Sequence, residues 1–297
     1  MKKALITIII IGLALLVAGK IIMVISENNN NNKMSINKEV LSSGKEEDTS
    51  VTDNNSNIIN KEFEDVKNIN LTLGLYSIII QGDDTIKNVQ ITAKKPVVMV
   101  NGKDADKLEV SCNNGNLTII QKQEKNKIST NLFNFNDYKG ELLIKVPTNN
   151  KLDKIDIENG VGKIEVKNIS TNTLDIDCGT SSVVGNNLKM SNCYISGGTG
   201  SVKLYDILTD KIEIDSGTGS TYISGDIMKD ATISTGTNSI ELMLNGKEKD
   251  YNYNIETGIG GIEINQNKYK REANINNNSE INIEVTSGTG SVDIKTK

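Results

Sequence analysis

The sequence predicts an all-β fold: a β-solenoid, or β-helix, of stacked ~19-residue coils with two short strands per coil, after an N-terminal transmembrane helix. Three observations predict it. Glycines stand at Gly160, Gly179, Gly198, Gly217 and Gly236, a spacing of 19 repeated without a break, with looser copies at Gly258 and Gly288. Apolar residues alternate with polar ones on both sides of each glycine, the period of a half-buried strand. The chain opens on two lysines and a long apolar run.

That run is the first element. Ala4 to Ile25 is apolar apart from Thr7 and Lys20. At about 1.5 Å per residue in a helix it spans a bilayer core of roughly 30 Å. Lys2 and Lys3 place the N-terminus in the cytoplasm and the rest of the chain outside it. The rival reading is a cleaved signal peptide ending near Val17-Ala18-Gly19, which leaves a secreted protein. Lys20 occupies the place where a lipobox needs cysteine, so lipidation is excluded. Residues 1–27 are thus an anchor or signal segment.

Residues 28–60 are polar and rich in Asn, too poor in apolar side chains to form a core, and read as a disordered tether. Residues 61–297 are the solenoid domain, regular from about 151. Its first coils are looser: "INLTLGLYSIII" and "LEVSCNNGNLTII" each carry a glycine between alternating runs, with a longer loop at Lys122 to Asp137.

The regular coils define columns. Three residues before the glycine stand Ile157, Ile176, Ile195, Ile214 and Ile233; five before stand Ile155, Leu174, Cys193, Ile212 and Ala231. Four after stand Ile164, Val183, Val202, Thr221 and Ile240; six after stand Val166, Gly185, Leu204, Ile223 and Leu242. These columns are expected to point inward, each fully buried Ile contributing roughly 1.5–3 kcal/mol. The glycines then form a corner ladder, flanked by a Thr column at Thr180, Thr199, Thr218 and Thr237. Cys193 is expected to be buried, and Cys178 too far from it for a disulfide. Because the chain stops at Lys297, three residues after Ile294, the last coil is expected to leave an open strand edge, a route to self-association.

Composition narrows the chemistry. The chain has no His, so triads, Cys–His pairs and His-ligated metals are excluded. A net charge of −5 with interspersed lysines gives no reason to expect nucleic acid. The Gly-Thr-Gly-Ser turns lack the lysine and helix of a P-loop, the third glycine of a dinucleotide fingerprint and the ligand Asp of a calcium-binding nonapeptide. No catalytic, cofactor or metal site is expected. The surface candidates are the outward carboxylates Asp156, Glu158, Asp175, Asp177, Glu213 and Asp215, and the tyrosines Tyr194, Tyr205 and Tyr222. The carboxylates read first as a solvated acidic face, and only second as a ladder for a cation or for glycoside hydrolysis. The tyrosines read as a small contact patch on adjacent coils.

The entry "LLIKVP…LDKIDIENGVGKIEV" and the "SGTGSV"-type turns resemble the bacterial adhesin-like family classed as domain of unknown function 4097, over roughly Phe63 to Lys297. The resemblance implies a β-solenoid on the outer side of a membrane and supplies no catalytic residues. The reading that follows is a membrane-anchored, non-catalytic, extracytoplasmic adhesin or envelope-binding module, with an unidentified envelope, protein or glycan ligand. The alternatives are an envelope-stress sensor acting with a membrane partner, and a carbohydrate-active enzyme using the acidic ladder.

Overall fold

The computed structural model describes residues 57–96, 99–100, 103–104, 106–123 and 139–297. The expected membrane segment, nearly all of the tether and most of the Lys122–Asp137 loop lie outside these residues. The described chain is all-β apart from one turn of 3-10 helix at Glu248–Asp250. In order come β1 (Ile58–Phe63), β2 (Asn68–Asp83), β3 (Val89–Lys94), the short pair β4 (Met99–Val100) and β5 (Lys103–Asp104), β6 (Asp106–Asn113), β7 (Asn116–Gln123) and β8 (Gly140–Pro147). The long runs β9 (Leu152–Thr199) and β10 (Val202–Leu244) wind through the regular coils. After them come β11 (Asn252–Ile259), β12 (Ile262–Ile264), β13 (Asn267–Tyr269), β14 (Glu272–Ile275), β15 (Asn282–Thr289) and β16 (Val292–Thr296). β1 begins inside the segment assigned to the tether and pairs with β3, so residues 58–60 take part in the sheet.

Neighbouring coils pair in parallel at an offset of 19: Val202 lies against Val183 and Ile214 against Ile195. This register superposes the apolar columns. Ile119, Leu71, Ile157, Ile176, Ile195, Ile214, Ile233, Val285 and Ile255 make one continuous buried stack. Stacking is what removes these side chains from water, because a single coil has nothing on which to bury them.

Each regular coil holds three inward segments, where the sequence had suggested two strands. In one coil Val202 and Leu204, then Ile207 and Thr209, then Ile212, Ile214 and Ser216 point inward. Between the first two segments the chain turns at a residue with left-handed backbone: Asn168 (φ 55), Asn187 (φ 49) and Asp206 (φ 52) in successive coils. Asn and Asp tolerate that conformation, and Gly225 takes the same place in the next coil. Asn187 Nδ2 donates to Asn168 Oδ1 at 2.9 Å, tying one coil to the next at this corner.

The glycine ladder is present, and its leading glycines are required by close approach of the neighbouring coil rather than by backbone conformation. A Cβ on Gly198 would lie 2.8 Å from the Gly179 carbonyl oxygen. The same clash with the preceding coil recurs at Gly179, Gly217 and Gly236. Close approach therefore excludes side chains there. The special backbone belongs to the second glycine of the turn, as at Gly200, with φ 143.

The ends correct the expectation of an exposed C-terminal edge. β15 and β16 pair in parallel with β10 on one side and with β11 and β12 on the other, so the last coil in sequence is interior. The outermost coil is β11–β12, and its outer edges carry the antiparallel strands β14 and β13. The other end is closed alike: β7 and β8 complete the coil beyond β2, and the antiparallel β6 and β3 lie outside them. Antiparallel caps interrupt the parallel register that a further coil would need.

Candidate functional site: two outward faces of the coil stack

On either side of the glycine corner the outward residues form two chemically distinct faces. Along the segment before the corner, the register superposes Asp156, Asp175, Tyr194 and Glu213 in one column, and Glu158, Asp177, Ser196 and Asp215 in the next. The six carboxylates predicted to share a face do so. Lys154 Nζ bridges two of them, 2.7 Å from Asp156 and 3.0 Å from Asp175. These hydrogen bonds, Asp156 first, raise the Lys154 pKa. A cation is therefore shared between stacked carboxylates, and it is the protein's own ammonium. Partial burial, and then neighbouring Glu213, raise the Asp215 carboxyl above its ordinary value. Among the described residues no group of three or more Cys, Asp or Glu side chains is placed to hold a metal ion.

Past the glycine corner lies the second face. Here Tyr205 and Tyr222, on adjacent coils, bring their rings to a centroid distance of 5.1 Å at 38°. Tyr194 does not join them. It sits in the acidic column opposite Glu213, because the glycine turn at Gly197–Ser201 separates its segment from that of Tyr205. The predicted three-tyrosine patch is therefore a pair. Around it, Val184 and Lys203 are neighbours by register, and Lys203 is the cation nearest in sequence.

A third surface, beyond the Asn/Asp corner, escaped sequence reasoning. It exposes Leu208 and Met228 on adjacent coils, 42% and 52% accessible. The signal was present: Asn168, Asn187, Asp206 and Gly225 recur at the 19-residue period, all residues that accept a left-handed backbone.

The buried cysteines offer no reactive group. Cys193 is fully buried with its thiol pushed up to about 12, chiefly by desolvation, and Cys178 is raised to about 11 for the same reason. Neither is a nucleophile at neutral pH. All three cysteines are free. A shallow groove of about 340 Å³ at the C-terminal end is lined by Asn252, Asn254, Asn274, Asn276 and Glu284, without a nucleophile or an acid pair.

The profile of the Toastrack DUF4097 family matches residues 66–297, from just after β1 to the last residue. The chain belongs to the Toastrack DUF4097 family. No curated protein sequence matches it. Solved structures similar to this Toastrack chain include a candidate adhesin from Bacteroides fragilis NCTC 9343, at 14% identity and TM-score 0.40, covering 81% of this chain and 97% of that one. Another is a candidate cell adhesion protein from Clostridium sporogenes ATCC 15579, at 14% identity and TM-score 0.31, covering 81% and 99%. A third is a candidate lipid binding protein from Parabacteroides distasonis ATCC 8503, at 14% identity and TM-score 0.30, covering 82% and 98%.

Proposed function

We propose that this Toastrack chain is a membrane-anchored, extracytoplasmic binding module without catalytic activity, which engages cell-surface or envelope material along its coil faces as an adhesin does. The observation that carries the reading is the solid interior. Aliphatic columns run through the stack from end to end, joined near the glycine corner by a few buried hydroxyl and amide side chains such as Ser216 and Asn238, so contact with a ligand falls to the outward faces. Of these, the face bearing Tyr205 and Tyr222 offers aromatic surface with polar tips, the combination favoured in recognition. Asp156 and Asp175 are clamped on one ammonium on an open sheet surface, which is not the flanking of a scissile bond that glycoside hydrolysis requires. The anchor rests on the Ala4–Ile25 run and its preceding lysines. Among the described residues no helix is long and apolar enough to cross a membrane.

The test is retention of the detergent-solubilised full-length chain on isolated fractions: the producer's own wall and membrane, and foreign matrix proteins and glycans. Retention on foreign material alone supports adhesion. Retention on the producer's envelope supports an envelope-binding role, and the Tyr205→Ser/Tyr222→Ser double variant is expected to lose it while folding normally. Retention on neither, or glycan turnover that disappears in Asp175→Asn, overturns the reading. Protease shaving of intact cells checks the orientation, with digestion of the solenoid from outside expected.

A further inference from the structure

The outermost C-terminal coil has an unusual attachment. β11 and β12 find their parallel partners in β15 and β16, and their remaining sheet partners are β14 and β13. β14 pairs with β11, and β13 with β12. Through the sheet, the whole unit from Asn252 to Ile275 is therefore joined to the stack by the last coil of the chain. That unit precedes β15 and β16 in sequence, yet lies beyond them in space. It cannot dock on β10 in its observed register until β15 and β16 have entered between the two.

From this order we propose that β15 with β16 is a donor segment: it settles on the β10 edge before the Asn252–Ile275 unit docks over it, in a slot that the same segment of a second copy of this chain also fits. The slot recognises main chain. Gly290 N donates to Ile259 O at 2.8 Å and Val292 N to Gly261 O at 3.0 Å on one side. On the other side Ile240 N donates to Ser291 O at 2.9 Å. Asn282 sets the register, donating to Asp230 Oδ1 at 3.1 Å and accepting from Asn252 Nδ2 at 3.0 Å. Ile283, Val285, Val292 and Ile294 then complete the apolar columns. None of these contacts depends on which copy supplies the segment, the condition under which strand donation and segment exchange operate.

The test uses the full-length Val285→Asp variant, whose own segment cannot bury its inward face, and a fluorescent peptide of residues 280–297. The peptide is expected to bind the variant at least about tenfold tighter than it binds the wild-type chain, whose slot is filled. Amide-exchange protection at Ile255 and Ile262 is expected to be lost in the variant and regained with peptide, while Ile176, Ile195 and Ile214 stay protected throughout. Thr286→Asp, on the outward side, is expected to behave as wild type. Equal peptide binding to both chains overturns the proposal. So does protection at Ile255 that survives in Val285→Asp without peptide, or protection at Ile176 that is lost together with it. Wild-type chain refolded at high concentration is expected to yield dimers by size exclusion that are absent after dilute refolding; monomers at every concentration overturn exchange between copies.

Discussion

Gly198 and Gly200, two residues apart in one turn, are fixed by different forces. At Gly198 the obstacle is the Gly179 carbonyl of the coil beneath, 2.8 Å from any Cβ. At Gly200 a Cβ would overlap the Ser181 carbonyl oxygen, and the backbone is left-handed besides. Gly198→Ala is expected to cost roughly 1–3 kcal/mol by overpacking, and Gly200→Ala more. Gly261→Ala, with nothing within 4 Å of the new Cβ, is expected to leave the melting temperature unchanged. Thermal unfolding of the three variants checks the order. Inward and outward columns are separated in the same way. Ile195→Asp buries an unpaired charge and is expected to lose roughly 3–5 kcal/mol, enough to unfold much of the array. Asp215→Asn is expected to stay folded and melt at or slightly above wild type. The fold disfavours the ionised form of Asp215, so at neutral pH removing the charge relieves a small strain.

At the scale of elements, the N-terminal end is pinned across β2 and β8. Asp83 accepts from Thr85 N and Oγ1, and pairs with Lys145 at 2.9 Å. The Thr85 hydroxyl, then Lys145, hold the Asp83 carboxyl down at about 2 from its ordinary 3.8. A depressed carboxylate stabilises the fold above its unfolded pKa, and the contribution is lost as pH falls through the folded value. Asp83→Asn is therefore expected to flatten the pH dependence of the melting temperature between about pH 4 and pH 2, and to leave the profile near neutrality parallel to wild type. The apolar columns make a second element-scale prediction. Cys178 and Cys193, buried with raised thiol pKa values, are expected to resist a thiol reagent in the native protein and to react on denaturation. Partly exposed Cys112 is expected to react first.

Over the whole molecule, the in-register offset of 19 makes the regular coils nearly interchangeable. Deleting residues 198–216 removes one whole coil and brings Thr221 over Val183 and Ile233 over Ile195, inward column on inward column. The shortened chain is expected to keep its β circular-dichroism spectrum and melt cooperatively at a lower temperature. Deleting only residues 198–207 shifts every later column out of phase and is expected to abolish folding. The ends are not interchangeable in this way, because their antiparallel caps depend on strands brought from elsewhere in the chain.

Much of this architecture was legible in particular residues. Ile157, Ile176, Ile195 and Ile214 share a phase with their glycines, and a β-branched residue at every second position has no other economical place than a buried column. The six carboxylates share a face because the same period carries them. The third inward segment was overlooked because Ile207 and Thr209 follow a phase slip at Asp206, where a left-handed residue turns the chain without a glycine to mark it. Tyr194 was grouped wrongly because spacing along the chain does not say on which side of a corner a residue lies. The sequence by itself thus determined the coil, its inward columns and the parallel register, since these follow from local periodicity and from what each residue type can bury. Only the tertiary structure decided that the last coil lies inside the stack, that both ends are capped by antiparallel strands, and that one lysine bridges two stacked aspartates. Those depend on which distant strands meet, and repeats so alike in sequence leave that choice to the energetics of the ends.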